Sequence, residues 1–142
     1  MRENTGHTVL MVDDDPDVRT SVARGLRHSG FDVRVAANGK EALRMLSTDE
    51  HDALVLDVQM PELDGFAVIE AIGANRMPAV VFVTAFDRYA INAFEAHALD
   101  YLLKPVDDTR LAVALDAVDV VFAGIDDDRA GPRRAGDTLG AE

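Results

Sequence analysis

Short apolar runs alternate with helix-periodic segments along almost the whole chain, and most of the runs stop at a polar residue. Thr8 to Val12 is expected to be a strand, and it runs into Asp13, Asp14, Asp15 and Asp17. Asp15-Pro16 reads as a helix start, with Asp as N-cap and Pro at the first helical position. Val18, Val22 and Leu26 follow at helical spacing, and Gly30 is a C-terminal stop. Phe31, Val33 and Val35 alternate like a second strand, and Lys40 to Leu46 forms a second helix with Ala42, Leu43 and Leu46 facing inward. Ala53-Leu54-Val55-Leu56 is apolar without a break, as in a strand covered on both faces, and it ends at Asp57. Beyond a loop over Met60 to Gly65, Phe66 to Ile72 begins a third helix. Ala79 to Val83 is a fourth strand ending at Thr84, and Tyr89 to Ala96 a fourth helix. Tyr101 to Leu103 is a fifth strand ending at Lys104-Pro105. Thr109 to Phe122 is a fifth helix, with Leu111, Leu115, Val118 and Phe122 on one face.

Strand and helix thus alternate five times, which implies an α/β fold: a parallel sheet with helices on both sides. In such doubly wound sheets, ligands bind outside the carboxyl ends of the strands, where the strand order switches. The polar residues at the run ends all belong there. A chain of 142 residues suits one domain, spanning residues 8–124. Residues 1–7 are a polar N-terminal tail. From residue 125 to 142 the periodicity is lost, and Asp126-Asp127-Asp128, Gly131, Pro132, Arg133 and Arg134 read as a flexible C-terminal tail or linker.

Composition narrows the function. The chain is 48% hydrophobic, enough for an ordinary core. It has no apolar run of about 18 residues that would span a membrane, and no apolar stretch of a secretory signal near Met1. The absence of cysteine excludes disulfides and thiolate metal sites and fits a cytoplasmic location. A net charge of −12 argues against direct nucleic-acid contact, because that affinity depends on Lys and Arg at phosphates.

The strand ends carry the chemistry. Asp13, Asp14 and Asp57 would meet at the ends of the first and third strands. Two like charges about 4 Å apart repel by ~4 kcal/mol at a near-surface effective dielectric, so either protons or a cation must offset them. Oxygen ligands without nearby His or Cys favour a hard cation, and Mg²⁺ typically takes one or two carboxylates plus a substrate phosphate. Each residue alone has an ordinary explanation. An Asp run before a helix caps it, Asp57 starts a turn, Thr84 is a strand residue, Lys104-Pro105 is a solvated turn and Tyr101 is core. Jointly they supply a carboxylate nucleophile, a metal site, a compact cation and a hydroxyl donor, which are the needs of phosphoryl transfer.

These motifs resemble the receiver domains of two-component response regulators. The resemblance rests on Val12-Asp13-Asp14-Asp15, Leu56-Asp57 through Gly65, Val83-Thr84-Ala85 and Lys104-Pro105, and it spans residues 8 to about 122. The stretches Phe82 to Asp87, Ala93-Phe94-Glu95 and Ala98 to Pro105 resemble more narrowly the receivers of LytTR-type transcription regulators. The resemblance implies a flavodoxin-like (βα)5 fold with strand order 2-1-3-4-5. It implies that Asp57 accepts phosphate from a sensor histidine kinase or phosphotransfer protein. Asp14 and Asp57 would hold Mg²⁺, with Asp13 acting through water and the Gln59 backbone carbonyl as a further ligand; no other cofactor is expected. Lys104, preceding a cis proline bond, would contact the phosphoryl group, as would Thr84 and the Ala85 amide. Movement of Thr84 would let Tyr101 turn inward and alter the face made by the fourth helix, fifth strand and fifth helix, through which a homodimer is also expected. Such a domain is a switch that assists its own phosphorylation and dephosphorylation, not a multiple-turnover enzyme.

Two features depart from the family pattern. Gln59 stands where receivers often have Asn or another polar residue, which bears on access of the hydrolytic water. The DNA-binding domain of a LytTR-type regulator is absent, so the chain is either part of a transcription regulator or a stand-alone receiver acting as a phosphorelay or interaction switch. Two other classes compete. A haloacid-dehalogenase-type phosphatase would want an acid two residues after Asp57, where Gln59 stands, and a cap-sized insertion. A phosphorylation-independent adaptor would not need the acidic, Thr and Lys positions, all of which are present. Elsewhere, His7, His28, His51 and His97 are assigned to surface or loops, and Phe66, Phe82 and Phe94 to the core. Phe86 is either core or a shield over the phosphorylation site.

Overall fold

A computed structural model describes residues 7–73, 77–106, 110, 114 and 117. The element order is β1 (Thr8–Val12), α1 (Pro16–His28), β2 (Asp32–Ala36), α2 (Gly39–Thr48), β3 (Ala53–Asp57), α3 (Gly65–Ile72), β4 (Ala79–Thr84), a 3-10 turn (Asp87–Tyr89), α4 (Ala90–Glu95) and β5 (Asp100–Leu103). The strands form one five-stranded sheet in the order β2-β1-β3-β4-β5, all neighbours parallel. This is the flavodoxin-like order, and β1 and β3, which meet at the switch in that order, carry Asp13 and Asp57 at their ends.

Side-chain alternation divides the interior between the two faces of the sheet. Val9 and Met11 of β1 join Val22, Ala23 and Leu26 of α1 on one face; Leu10 and Val12 join Ala42 of α2 and Val68 and Ile69 of α3 on the other. Both sets are buried, which is why β1, β3 and β4 are almost continuously apolar. Helix starts follow local chemistry. Asp15 Oδ1 accepts from the Asp17 N–H, Asn38 caps α2 through the Glu41 N–H, and Asp64 caps α3 through the Ala67 N–H. After α1 the chain turns at Gly30 with φ of 99°, a conformation without penalty for glycine.

Two expectations need correction. The fourth helix begins not at Tyr89 but at Ala90, after the 3-10 turn. Phe94 is 82% exposed and not core: on so short a helix only Ala93 is buried, and Phe94 points to solvent with Ile91. Phe82 is fully buried and Phe66 packs on it at 4.8 Å between ring centroids, as expected of core. Arg110, Ala114 and Ala117 are helical, and Ala114 joins the core on the α1 side. The remainder of the expected fifth helix, the tail from residue 125 and residues 1–6 lie outside the described residues.

Candidate functional site

The acidic cluster forms because two adjacent parallel strands end side by side. Val12 pairs in register with Leu56, so Asp13 and Asp57 follow at neighbouring strand ends. Asp13 is fully buried and Asp57 is 2% exposed, whereas Asp14 is open to solvent. One carboxylate oxygen from each of the three lies within 4.8 Å of the others.

Local bonds hold the two buried acids in place. Asp13 Oδ1 accepts from the Asp15 N–H at 2.9 Å, and the Asp13 carbonyl accepts from the Arg19 guanidinium at 2.7 Å. Asp57 is fixed from beneath. The Gly65 N–H donates to the Val58 carbonyl at 2.8 Å, and a Cβ on Gly65 would stand 2.5 Å from the Asp57 carbonyl oxygen. Only glycine lets the start of α3 approach the Asp57 backbone so closely.

Lys104 arrives from the far side of the sheet. Its N–H donates to the Thr84 carbonyl at 2.8 Å, placing it at the same carboxyl edge, and its bond to Pro105 is cis. The ammonium lies 3.1 Å from Asp13 Oδ2 and 3.5 Å from Asp57 Oδ1. Burial alone would push this amine down, but Asp13 and Asp57 outweigh it and hold it above the ordinary lysine value. One cation is still too little for three acids. Burial, and then the charge of Asp13, pushes the Asp57 carboxyl from 3.8 up to about 7, a rise that Lys104 only partly offsets. A set of three carboxylates that one ammonium leaves underneutralised fits a hard divalent cation, Mg²⁺ among them.

Thr84 is fully buried at the end of β4 and its Oγ1 accepts from the Phe86 N–H at 3.3 Å; Ala85, between them, is exposed. The Tyr101 hydroxyl donates to the Phe86 carbonyl, which joins β5 to the loop after Thr84. Phe86 is 37% exposed and so is not core. Gln59 is exposed and its side-chain amide donates to the Tyr89 hydroxyl. The structure therefore brings Asp13, Asp14, Asp57 and Lys104 together, with Thr84 at the end of β4 and Tyr101 reaching from β5 to the loop that follows Thr84.

Arg19 and Tyr89 escaped the sequence reading. Arg19 follows Asp13 by six residues on the first turn of α1, a spacing compatible with reaching back. Tyr89 has no signal of its own, since its partner Gln59 lies 30 residues earlier.

The fold and site define a doubly wound α/β domain with three carboxylates and a lysine ammonium gathered at the switch in strand order. The family model of the response regulator receiver domain matches residues 9–116. This chain belongs to that family. An uncharacterized response regulatory protein of Vibrio cholerae is 43% identical over 108 residues, covering 74% of this chain and 45% of the relative. The transcriptional regulatory protein BtsR of Salmonella typhi is 42% identical over 110 residues, covering 75% of this chain and 46% of the relative. The chain thus spans under half the length of these relatives. Among solved structures, the response regulatory domain of mrkE from Klebsiella pneumoniae superposes with a TM-score of 0.76 at 28% identity, over 82% of this chain and 98% of that one. The chemotaxis protein CheY4 of Vibrio cholerae gives 0.71 at 27% identity, over 79% and 98%. No described helix is long and apolar enough to cross a membrane.

Proposed function

We propose that this receiver domain takes a phosphoryl group onto Asp57 and uses it to change a protein-interaction surface. The observation that carries the reading is the position of Lys104, whose ammonium lies within 3.5 Å of both Asp13 and Asp57 beside an exposed third carboxylate. An Asp57 carboxylate oxygen attacks phosphorus of the donor and becomes an acyl phosphate, while the donor leaves. Lys104 supplies positive charge to the incoming phosphoryl oxygens. Thr84 and the Ala85 amide are donors for the same oxygens. Asp14, Asp57 and the Gln59 carbonyl would hold Mg²⁺, with Asp13 acting through water. When bound, that ion neutralises phosphoryl charge.

The donor is a sensor histidine kinase or phosphotransfer protein, as membership of the family supports, and the setting is the cytoplasm. The domain turns over its own phosphate and is not a multiple-turnover enzyme. The transcriptional name of the Salmonella typhi relative supports a DNA-binding output, of the LytTR type by sequence pattern, controlled in the same polypeptide. The exposed Ile91, Phe94 and Leu103 on α4 and β5 support homodimerisation through that face, where a monomer would leave apolar surface in water.

Acetyl phosphate with Mg²⁺ should add one phosphate to the chain by intact mass and none to Asp57→Asn. Equal labelling of the variant would refute the assignment.

A further inference from the structure

At the amino edge of the sheet, the end opposite Asp57 and Thr84, an open cavity of about 370 Å³ lies between α2 and the last turn of α3. Small-molecule sites typically measure about 300–1,000 Å³. Leu43, Leu46, Ala71, Ile72 and Pro78 supply an apolar wall. The segment leading into β3 supplies most of the polar part, with Asp49, Glu50, His51 and Asp52. Every charged residue in that lining is acidic.

The acids are not equally committed. Asp49 Oδ2 lies 2.7 Å from the Arg34 guanidinium, and Asp52 Oδ2 accepts from the Thr8 N–H at 2.9 Å. Glu50 has neither an ion pair nor a hydrogen bond through its side chain among the described residues. His51 adds a second open acceptor. Its Nδ1 lies 3.2 Å from the Asp49 carbonyl, which can only accept, so Nδ1 carries the ring proton. Burial, and then the charge of Arg34, holds this ring below the ordinary histidine value, so Nε2 of the neutral imidazole keeps its lone pair. That nitrogen is buried and has no hydrogen-bond partner. A buried acceptor is costly until a donor satisfies it. A metal ion is not the missing partner: among the described residues, only Asp13, Asp14 and Asp57 gather three ligating side chains within reach of one another. What this lining lacks is a donor that carries positive charge.

We propose that this cavity binds a small organic amine, its ammonium held by Glu50 and His51 Nε2 and its apolar body against Leu46, Ala71 and Ile72. An ammonium offers three donors and no acceptor, which matches carboxylates and an imidazole lone pair. A carboxylate ligand of the same size would face three like charges and leave Nε2 bare. The site is separate from Asp57, and its occupancy does not depend on phosphorylation there.

The test is a titration of the ¹⁵N-labelled 142-residue chain, in Mg²⁺, with tryptamine and with indole-3-acetate, which carry opposite charges on one ring system. Tryptamine should shift the amide signals of Ser47, His51 and Ile72 saturably, and indole-3-acetate should bind at least about tenfold more weakly, the factor set by one charge-assisted hydrogen bond. His51→Leu keeps an apolar side chain in the wall and should weaken tryptamine by a similar factor. Ala71→Phe places a ring in the cavity from an exposed position on α3 and should abolish the shifts while the rest of the spectrum stays dispersed. Equal affinity for the two indoles, binding that survives Ala71→Phe, unchanged affinity in His51→Leu, or shifts confined to the surroundings of Asp13, Asp14 and Asp57 each overturn the proposal. None of these outcomes bears on phosphorylation of Asp57, which is read separately by mass.

Discussion

The Lys104 ammonium sits between two buried carboxylates, 3.1 Å from Asp13 Oδ2 and 3.5 Å from Asp57 Oδ1. It is the cation that permits two acids to share the end of adjacent strands. Lys104→Met leaves those acids facing each other. Without Mg²⁺, the variant should lose about 3 kcal/mol of stability, the low end of the cost of breaking a buried pair. Added Mg²⁺ should recover part of that loss. Urea unfolding with and without Mg²⁺ measures both, and equal stability of variant and wild type in EDTA would show that the lysine does not offset the acids.

Asp57 makes the metal-free fold sensitive to pH. Its carboxyl is pushed from 3.8 up to about 7 by burial and then by Asp13. Between those values the folded chain keeps a proton that the unfolded chain has already released, so stability falls as pH rises through this window. The penalty is absent below about pH 4 and complete above about pH 7. In EDTA, the thermal midpoint of the wild type should fall relative to Asp57→Asn between pH 4 and pH 7, on the order of 4 °C for each kcal/mol. Parallel profiles for the two proteins would contradict the shift.

Gly65 links the third helix to the nucleophile. A methyl group there would meet the Asp57 carbonyl oxygen at 2.5 Å, which is backbone and cannot swing aside. Gly65→Ala should cost about 1–3 kcal/mol, as overpacking does, and should also slow labelling of Asp57 because the backbone beneath it must shift. Denaturant midpoints and labelling rates report the two effects separately. A stable variant with a normal rate would show that α3 does not set the position of Asp57.

The apolar face of α4 and β5 makes a different demand. Phe94 is 82% and Ile91 72% exposed. Phe94→Glu should leave the unfolding free energy within about 0.5 kcal/mol of the wild type, as surface substitutions do. It should abolish concentration-dependent self-association of the phosphorylated chain in sedimentation velocity. Association that persists would place the interface elsewhere.

Much of the site was legible before any coordinates. Asp57 and Thr84 each close a β-branched or leucine-rich run, and a run apolar on both faces must be a buried parallel strand, so its last polar residue must face the carboxyl edge. Lys104-Pro105 and the Asp13 cluster follow the same logic. Phe94 misled because an aromatic residue at helical spacing is ordinarily core, and nothing local reveals that the fourth helix is a six-residue piece with one buried position.

What the order of residues determined by itself is therefore local: where strands and helices fall, which residues cap them, and which polar groups sit at strand ends. Periodicity and capping act within a few residues, so one chain segment suffices to read them. Tertiary structure alone decided which ends become neighbours, how Arg19 reaches the Asp13 carbonyl, and how Gln59 meets Tyr89. Those pairings depend on strand order and on distances across the sheet, and through-space contacts between remote segments leave no periodic trace in either partner.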